Sequence, residues 1–320
     1  MLVIAICAAV AAFGSRAKAA QDYPSRPITI VVPYAAGGAS DTVARILAER
    51  MRTLLRQPVI VDNTSGAAGR IGTGRVARAI PDGHTIIAAS SSTHVMNGAI
   101  YALNFDVVKD FVPISLLVDT PQVIVAKKSM PANDLNELIR WLKANPDKAA
   151  QGTTGVGGTS HLAGVFFQQQ TGTRFRFVPY RGGAMQDLVA GHIDLMIDQA
   201  SNALPQVRIG SIKAYAVAAK SRLAVAREIP TTDEAGVPNF HMSVWHAFFA
   251  PKGTPKPIIA QLNTAVTDAL ADRAIRQRLA EIGQSVFPPE QQAPEALAAF
   301  HKAEIEKWWP IINAAGIKVE

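Results

Sequence analysis

One recurring order of elements constrains this chain more than anything else in it. A short β-branched run is followed by a glycine-rich turn and then by an apolar stripe at helical spacing. Ile28–Tyr34 reads ITIVVPY, apolar on both faces, as a strand buried inside a parallel sheet would be. Gly37-Gly38 follows, with Ser40 placed to cap the next helix. Val43, Ile46, Leu47, Met51, Leu54 and Leu55 then fall on one helical face. Pro58–Val61 predicts a second strand, a glycine-rich turn from Ser65 leads into a helix ending near Ala79, and Thr85–Ala89 predicts a third strand after the Pro81-Asp82-Gly83 turn. This β-α-β-α-β order argues for an α/β fold, a mainly parallel sheet with helices on its faces.

The second stretch repeats the scheme. Gln122–Ala126 is a predicted strand, and Asn133–Ala144 a helix that Asn133 can cap. A short strand before Gly152 runs into Thr153-Thr154-Gly155-Val156-Gly157-Gly158-Thr159-Ser160, with a helix from His161 to Gln170. Strands are expected at Phe175–Tyr180, Ile193–Asp198 and Ile212–Ala218, and a helix at Ala184–Ala190. Trp245–Ala250 is extended and ends at Pro251, and Pro257–Asp272, Ala274–Ile282 and Pro294–Ala314 are helical. Trp308-Trp309 on the last helix reads as packing.

Two turns echo each other 120 positions apart: Gly37-Gly38-Ala39-Ser40-Asp41 and Gly157-Gly158-Thr159-Ser160-His161. Each follows a strand and opens a helix. The first N–H groups of a helix lack internal partners, and with the helix dipole they favour an anion there. Two such turns facing across a cleft would grip a carboxylate from both sides; glycine-rich strand-to-helix turns are also common in α/β proteins for purely local reasons. Asp41 sits where it would compete with a bound anion, or instead brace the loop.

Composition excludes several classes. The 320 residues are 48% apolar and 18% charged, so disorder is not the main state. The formal charge of +7 contains no block of like charges and gives no nucleic-acid footprint. There is no G-x-S-x-G nucleophile elbow, no Walker A sequence and no complete dinucleotide fingerprint. The seven histidines make no zinc spacing, so no metal site and no cofactor is expected. Ser160 and His161 are adjacent in sequence, which does not make them face each other as nucleophile and base, and His161 reads as a loop-bracing residue. Asp198 and Tyr180 lie at predicted strand ends, where α/β folds place ligands; Asp198 is read either as ligand-facing or as structural.

The N-terminus reads as an address. Met1–Phe13 is apolar, and Ala17-Lys18-Ala19 has the A-x-A form of a secretory cleavage site. No basic residue precedes the apolar core, a departure from the usual pattern. Cleavage after Ala19 removes Arg16, Lys18 and the lone cysteine, Cys7, so no disulfide or thiol chemistry is expected of the mature chain.

Taken in order, a further set of segments resembles one family. They are Tyr23-Pro24-Ser25-Arg26-Pro27, Pro33 to Gly38 with Asp41 and Arg45, Val61-Asp62-Asn63, Gly66-Ala67-Ala68-Gly69, Pro81-Asp82-Gly83 and Asp110 to Ser115. Gly155 to His161, Val178 to Gly182 and Pro230-Thr231 with Glu234-Ala235-Gly236 complete the set. Each is weak alone, and in this order they are specific. The chain resembles the Bug-type solute receptors, the periplasmic substrate-binding subunits of tripartite tricarboxylate transporters.

The resemblance implies a two-lobed clamshell of the type II periplasmic-binding class, its lobes hinged by two crossing segments near Leu116–Val123 and Ser243–Ala250. It implies residues 1–19 as signal peptide, 20–120 with 247–320 as the first lobe, and 121–246 as the second. It implies a binding protein rather than an enzyme. This would be a periplasmic monomer that captures a small carboxylate and delivers it to membrane subunits, without nucleic acid or cofactor. A receptor feeding a sensor kinase, or an enzyme acting on small acids through Asp198 and His161, are the alternatives. By position, the implied ligand-binding set is Tyr34, Ala36, Gly37 and Gly38, then Ser90 and Ser91, then Thr153, Thr154, Gly158, Thr159 and His161, with Tyr180 and Asp198 on the opposite wall. Tyr34 stands where the family commonly has Phe, and Thr153-Thr154 where it has Ser or Ala.

Overall fold

The structure, a computed structural model, describes residues 23–317. The expected leader, residues 1–19, lies outside them. The opening run forms β1 (Ile28–Val32), paired in parallel with β2 (Val59–Asn63) on one side and β3 (Thr85–Ser90) on the other. Between β1 and β2 runs α1 (Ala39–Leu55), whose buried stripe of Val43, Leu47 and Met51 meets Ile28, Ile30 and Val32 beneath the sheet. Burying each such side chain contributes about 1.5–3 kcal/mol. Helix α2 (Arg70–Ala77) connects β2 to β3.

Beyond β3, a π-type turn (Ser92–Met96) runs into α3 (Asn97–Ile100). Strand β4 (Phe111–Lys127) then covers 17 residues. Its first part pairs antiparallel with β9 (Ser243–Pro251), which also pairs with β3. Its last part, from Gln122, belongs to a second sheet and pairs with β7 (Leu195–Gln199) and β8 (Ile212–Val217). That second sheet continues through β5 (Ala150–Thr153) to β6 (Arg176–Pro179). Helices α4 (Leu135–Ala144), α5 (Thr159–Thr171), α6 (Ala184–Ala190) and α7 (Ala200–Arg208) flank it. The chain returns through β9 to α8 (Lys256–Ala271), α9 (Arg273–Glu281), the short β10 (Ser285–Val286) on β4, and α10 (Pro294–Ala314). The architecture is α/β and two-lobed, with one strand common to both sheets.

Two helix starts differ from expectation. Asp134, not Asn133, caps α4: its carboxylate accepts the Glu137 N–H at 2.8 Å, while Glu137 accepts the Asn133 N–H at 2.8 Å. This resembles a capping box, except that the acid at the third helical position reaches past the cap to the N–H of the residue before it. Gly38 rather than Ser40 is the cap of α1, because Ser40 lies inside the helix and its hydroxyl reaches His246 at 3.0 Å. Trp308 is buried and stacks on Phe166 with ring centroids 6.1 Å apart, so the last helix packs on the second lobe's α5.

Candidate functional site

Both glycine-rich turns sit at the C-terminal ends of parallel strands, where α/β sheets place ligands. The second turn faces the segment that follows β3 in the other lobe, and the first turn faces Gly182 after β6. Ser92, just past β3, donates its hydroxyl to Thr159 Oγ1 at 3.1 Å and accepts the Thr159 N–H at 3.1 Å. The Tyr101 hydroxyl donates to the Val156 carbonyl. A Cβ built on Gly157 would stand 2.9 Å from Ile100, and one on Gly155 3.3 Å from Ala68. The two lobes are therefore in contact across the turns.

Each turn is stapled by the residue four positions past its glycine. Asp41 Oδ2 accepts the Gly37 N–H and the Arg45 Nε–H, both at 2.9 Å, and its Oδ1 accepts the Asn63 amide at 3.0 Å. Burial would raise this carboxyl, but the Arg45, Gly37 and Asn63 bonds outweigh burial and hold it below the ordinary range. In the second turn His161 plays the same part: its Nδ1 accepts the Gly157 N–H at 3.2 Å, and its ring meets Phe177 edge-on at 4.5 Å. Burial lowers the pKa of this imidazole. Gly37 and Gly157 both take positive φ, 79° and 77°, which glycine adopts without strain.

This corrects the simplest form of the anion-turn expectation. The Gly37 N–H is spent on Asp41, and the Gly38 and Gly158 N–H groups on the Ala35 and Gly155 carbonyls. The Thr159 N–H is spent on Ser92. Local closure of the loops satisfies the donors that a sequence pattern alone leaves pointing outward. Ala36 is exposed beside them. What stands unsatisfied at the strand ends beside the turns is a set of side-chain groups. Ser91 Oγ at the end of β3 and Thr153 Oγ1 at the end of β5 are buried without a partner among the described residues. Tyr34 brings its hydroxyl to 3.5 Å from Ser90 Oγ, and burial raises its pKa. Thr154 is exposed, its N–H on Ser160 Oγ at 3.0 Å.

The structure does not bring Tyr180 and Asp198 into this group by any contact. The Tyr180 hydroxyl donates to Asp187 Oδ2 at 2.6 Å on the helix that follows it. Asp198 is buried, and its carboxylate accepts the Gln199 N–H at 2.8 Å and the Asn202 amide. Burial raises its pKa against those bonds. It braces the start of α7 through these bonds.

Several groups at the site carry no sequence signal. His246 on β9 is fully buried, with Nε2 on Ser40 and Nδ1 without a partner among the described residues, and burial lowers its pKa to about 4. Gln122 and Gln199 stand opposite each other where β4 meets β7, and neither side-chain amide atom of Gln122 has a partner among the described residues. Only the long-range pairing of β4, β7 and β9 assembles these positions. Ser92 was readable in principle, as one of a run of hydroxyl residues after a strand.

Comparison with known proteins places the fold and the family. Residues 43–317 match the model of the tripartite tricarboxylate transporter family receptor. The solved structure of the periplasmic binding protein BugD superposes with a TM-score of 0.89 at 39% identity, over 93% of this chain and 100% of that one. MatC from Rhodopseudomonas palustris with bound malate gives 0.87 at 39% identity, over 91% and 100%. A second R. palustris protein, solved with adipate, gives 0.89 at 32% identity, over 93% and 100%. With a family match over most of its length and these folds alongside, the chain belongs to the tripartite tricarboxylate transporter receptor family.

Proposed function

We propose that this protein is an exported receptor that captures a small carboxylate between its lobes and hands it to the membrane subunits of a tripartite transporter. The observation that carries the reading is the pair of buried hydroxyls without partners among the described residues at strand ends beside the glycine-rich turns, Ser91 from one lobe and Thr153 from the other. A carboxylate accepts hydrogen bonds and donates none, so it suits a pocket of hydroxyl and amide donors. MatC with malate and its relative with adipate are family members that hold such acids. The lobes are taken as 20–120 with 247–320 and 121–246, preceded by a leader at 1–19, and the receptor acts as a monomer.

Capture is an exchange of partners. In the contact form Thr159 N–H is satisfied by Ser92 Oγ. Opening about the crossing strands frees both, and a carboxylate entering between them takes the Thr159 N–H while Ser92, Ser91 and Thr153 turn their hydroxyls to it. Binding then shifts the open–closed equilibrium. The groups that an enzyme acting on acids would use as bases are engaged: His161 Nδ1 by Gly157, and Asp198 by Asn202 and Gln199.

The test begins with protein unfolded, dialysed and refolded to strip any ligand carried through purification. It is then titrated calorimetrically and by thermal shift against mono-, di- and tricarboxylates, with neutral sugars and amides as controls. A ligand at 100 times its Kd adds roughly 2.7 kcal/mol of stability. One class of acid is expected to bind with micromolar affinity or better, about −8 kcal/mol. Ser91→Ala and Thr153→Val should each weaken that response at least tenfold while far-UV circular dichroism stays native. Stripped, folded protein that responds to no acid would overturn the reading.

A further inference from the structure

The carboxyl ends of the strands in the second sheet carry polar groups that the capture of a plain carboxylate leaves unused. Gln199 ends β7, and Gln122 stands opposite it where β4 enters that sheet. Strand side chains alternate between the two faces. Ile197 and Ile124, two residues inward, share a core cluster with Leu162 and Phe167 of α5, so both glutamines lie on the α5 face. Thr153 ends β5 on that same face. Two residues before it, Gln151 stands opposite Leu195 of the cluster and donates its amide to the Ser160 carbonyl in α5. Thr153 is thus one strand spacing, about 5 Å, and two residues, about 7 Å, from Gln199.

The hydrogen-bonding demand of these groups is mixed. Gln122 is only 1% exposed, and neither its Oε1 nor its Nε2 has a partner among the described residues. Gln199 Oε1 is buried in the same state, although the two glutamines stand side by side. With the lobes in contact these atoms are shut off from solvent, as Ser91 Oγ and Thr153 Oγ1 are. Buried polar groups ordinarily find a partner, because leaving one unpaired forfeits its hydration for nothing. The Ser91 and Thr153 hydroxyls and the Gln122 Nε2 can all donate to a carboxylate. The two amide oxygens only accept, and a carboxylate has no hydrogen to give them. A ligand that is a carboxylate and nothing more leaves both oxygens unpaired.

We propose that Gln122 and Gln199 select an acid that carries its own hydrogen-bond donor, a hydroxyl or amino group on the carbon chain, over the unsubstituted acid of the same length. The inference rests on the receptor reading above and narrows its ligand class. The carboxylate lies against the hydroxyls at the strand ends, and the substituent donates to the two amide oxygens. Asp198, between Ile197 and Gln199, stands opposite Val123 on the other face, and its carboxylate is spent on the Gln199 N–H and the Asn202 amide. The donor therefore meets neutral oxygens. Neutral acceptors favour a hydroxyl over an ammonium group, whose buried charge calls for a counter-ion.

Protein stripped by unfolding and refolding is titrated calorimetrically with acids grouped by carbon skeleton: propionate with lactate, succinate with malate and aspartate, glutarate with 2-hydroxyglutarate and glutamate, and tricarballylate with citrate. In the group that binds, a hydroxy or amino member is expected to bind at least tenfold more tightly than the unsubstituted one, and which of the two does so identifies the donor. Gln122→Met and Gln199→Met keep the length of the side chain and remove the amide. Each should bring that ratio towards one. A ratio taken within one protein is insensitive to a general loss of stability, which weakens both ligands alike. In the unliganded protein Gln122→Met should leave the thermal midpoint unchanged or raise it, since it removes a buried amide that has no partner. A fall of several degrees would mark Gln122 as a paired structural group and overturn its role. An unsubstituted acid bound as tightly as its substituted partners, as when a water takes the place of the donor, would overturn the inference and leave the receptor reading standing. A ratio unchanged in both variants would do the same. Binding of no acid at all would overturn both.

Discussion

At the scale of single residues, the site is organised by buried groups whose charge state is set by their surroundings. Asp41 is the clearest. Three donors converge on one buried carboxylate, so Asp41→Ala removes the acceptor that ties the Gly37 N–H, Arg45 and Asn63 together and should destabilise the protein by about 1–3 kcal/mol, read as a lowered urea midpoint. Its folded pKa lies below the unfolded value of 3.8. The stability it supplies is therefore complete above that value and lost only as pH falls through the folded pKa. His246 acts in a different window. Its pKa drops from 6.5 unfolded to about 4 folded, so the unfolded chain binds the extra proton between those values. Stability falls as pH is lowered from about 6.5 towards 4, by about 3 kcal/mol for this group. Burial moves His94 and His301 the same way, whereas Asp198, with a raised pKa, opposes them by gaining a proton in the folded state. The urea midpoint should decline over that range, and His246→Gln should flatten the decline; an unchanged slope would show that His246 is not buried neutral.

At the scale of elements, the contact between the lobes rests on turns with no room to spare. Gly182, at the end of the β6 connection, has ordinary φ, yet a Cβ there would stand 2.9 Å from the Ala35 Cβ in the first turn. Gly182→Ala thus adds one methyl that collides only when the lobes are together. Overpacking by a methyl costs about 1–3 kcal/mol. We expect ligand affinity to fall about tenfold, which is 1.4 kcal/mol, with the unliganded thermal midpoint nearly unchanged. Most elements were legible because their signals are local. ITIVVPY, the α1 stripe and the Pro294 helix start all report in a few consecutive residues. β4 was not legible as one strand. Pro113 and Pro121 interrupt its donor pattern, and the register shifts near Pro113 and again before Val118. Only its pairing with β9, 130 residues away in sequence, makes it continuous. The turns were legible as places but not as chemistry, since whether Gly37 offers its N–H to a ligand or to Asp41 depends on backbone geometry that no spacing encodes.

At the scale of the whole molecule, the shared strand joins what the cleft divides. Pro121 marks the point where β4 leaves one sheet for the other, with β9 alongside to Ser243. Losing β4 costs both sheets an interior partner, so neither lobe has a route to unfold alone. Urea unfolding followed by circular dichroism and by tryptophan fluorescence should give coincident single transitions, although Trp141 reports on the second lobe and Trp308 on the last helix. Two separated midpoints would show independent lobes. The same strand limits how such a receptor can change its history. A lobe cannot be borrowed from another receptor by joining chains at a surface loop, because half of its central strand is spelled within the other lobe's strand. New specificities arise more readily by altering the turns at the strand ends than by shuffling lobes. Descendants of this chain should therefore differ most in those few turns while inheriting the crossing as a single unbroken word.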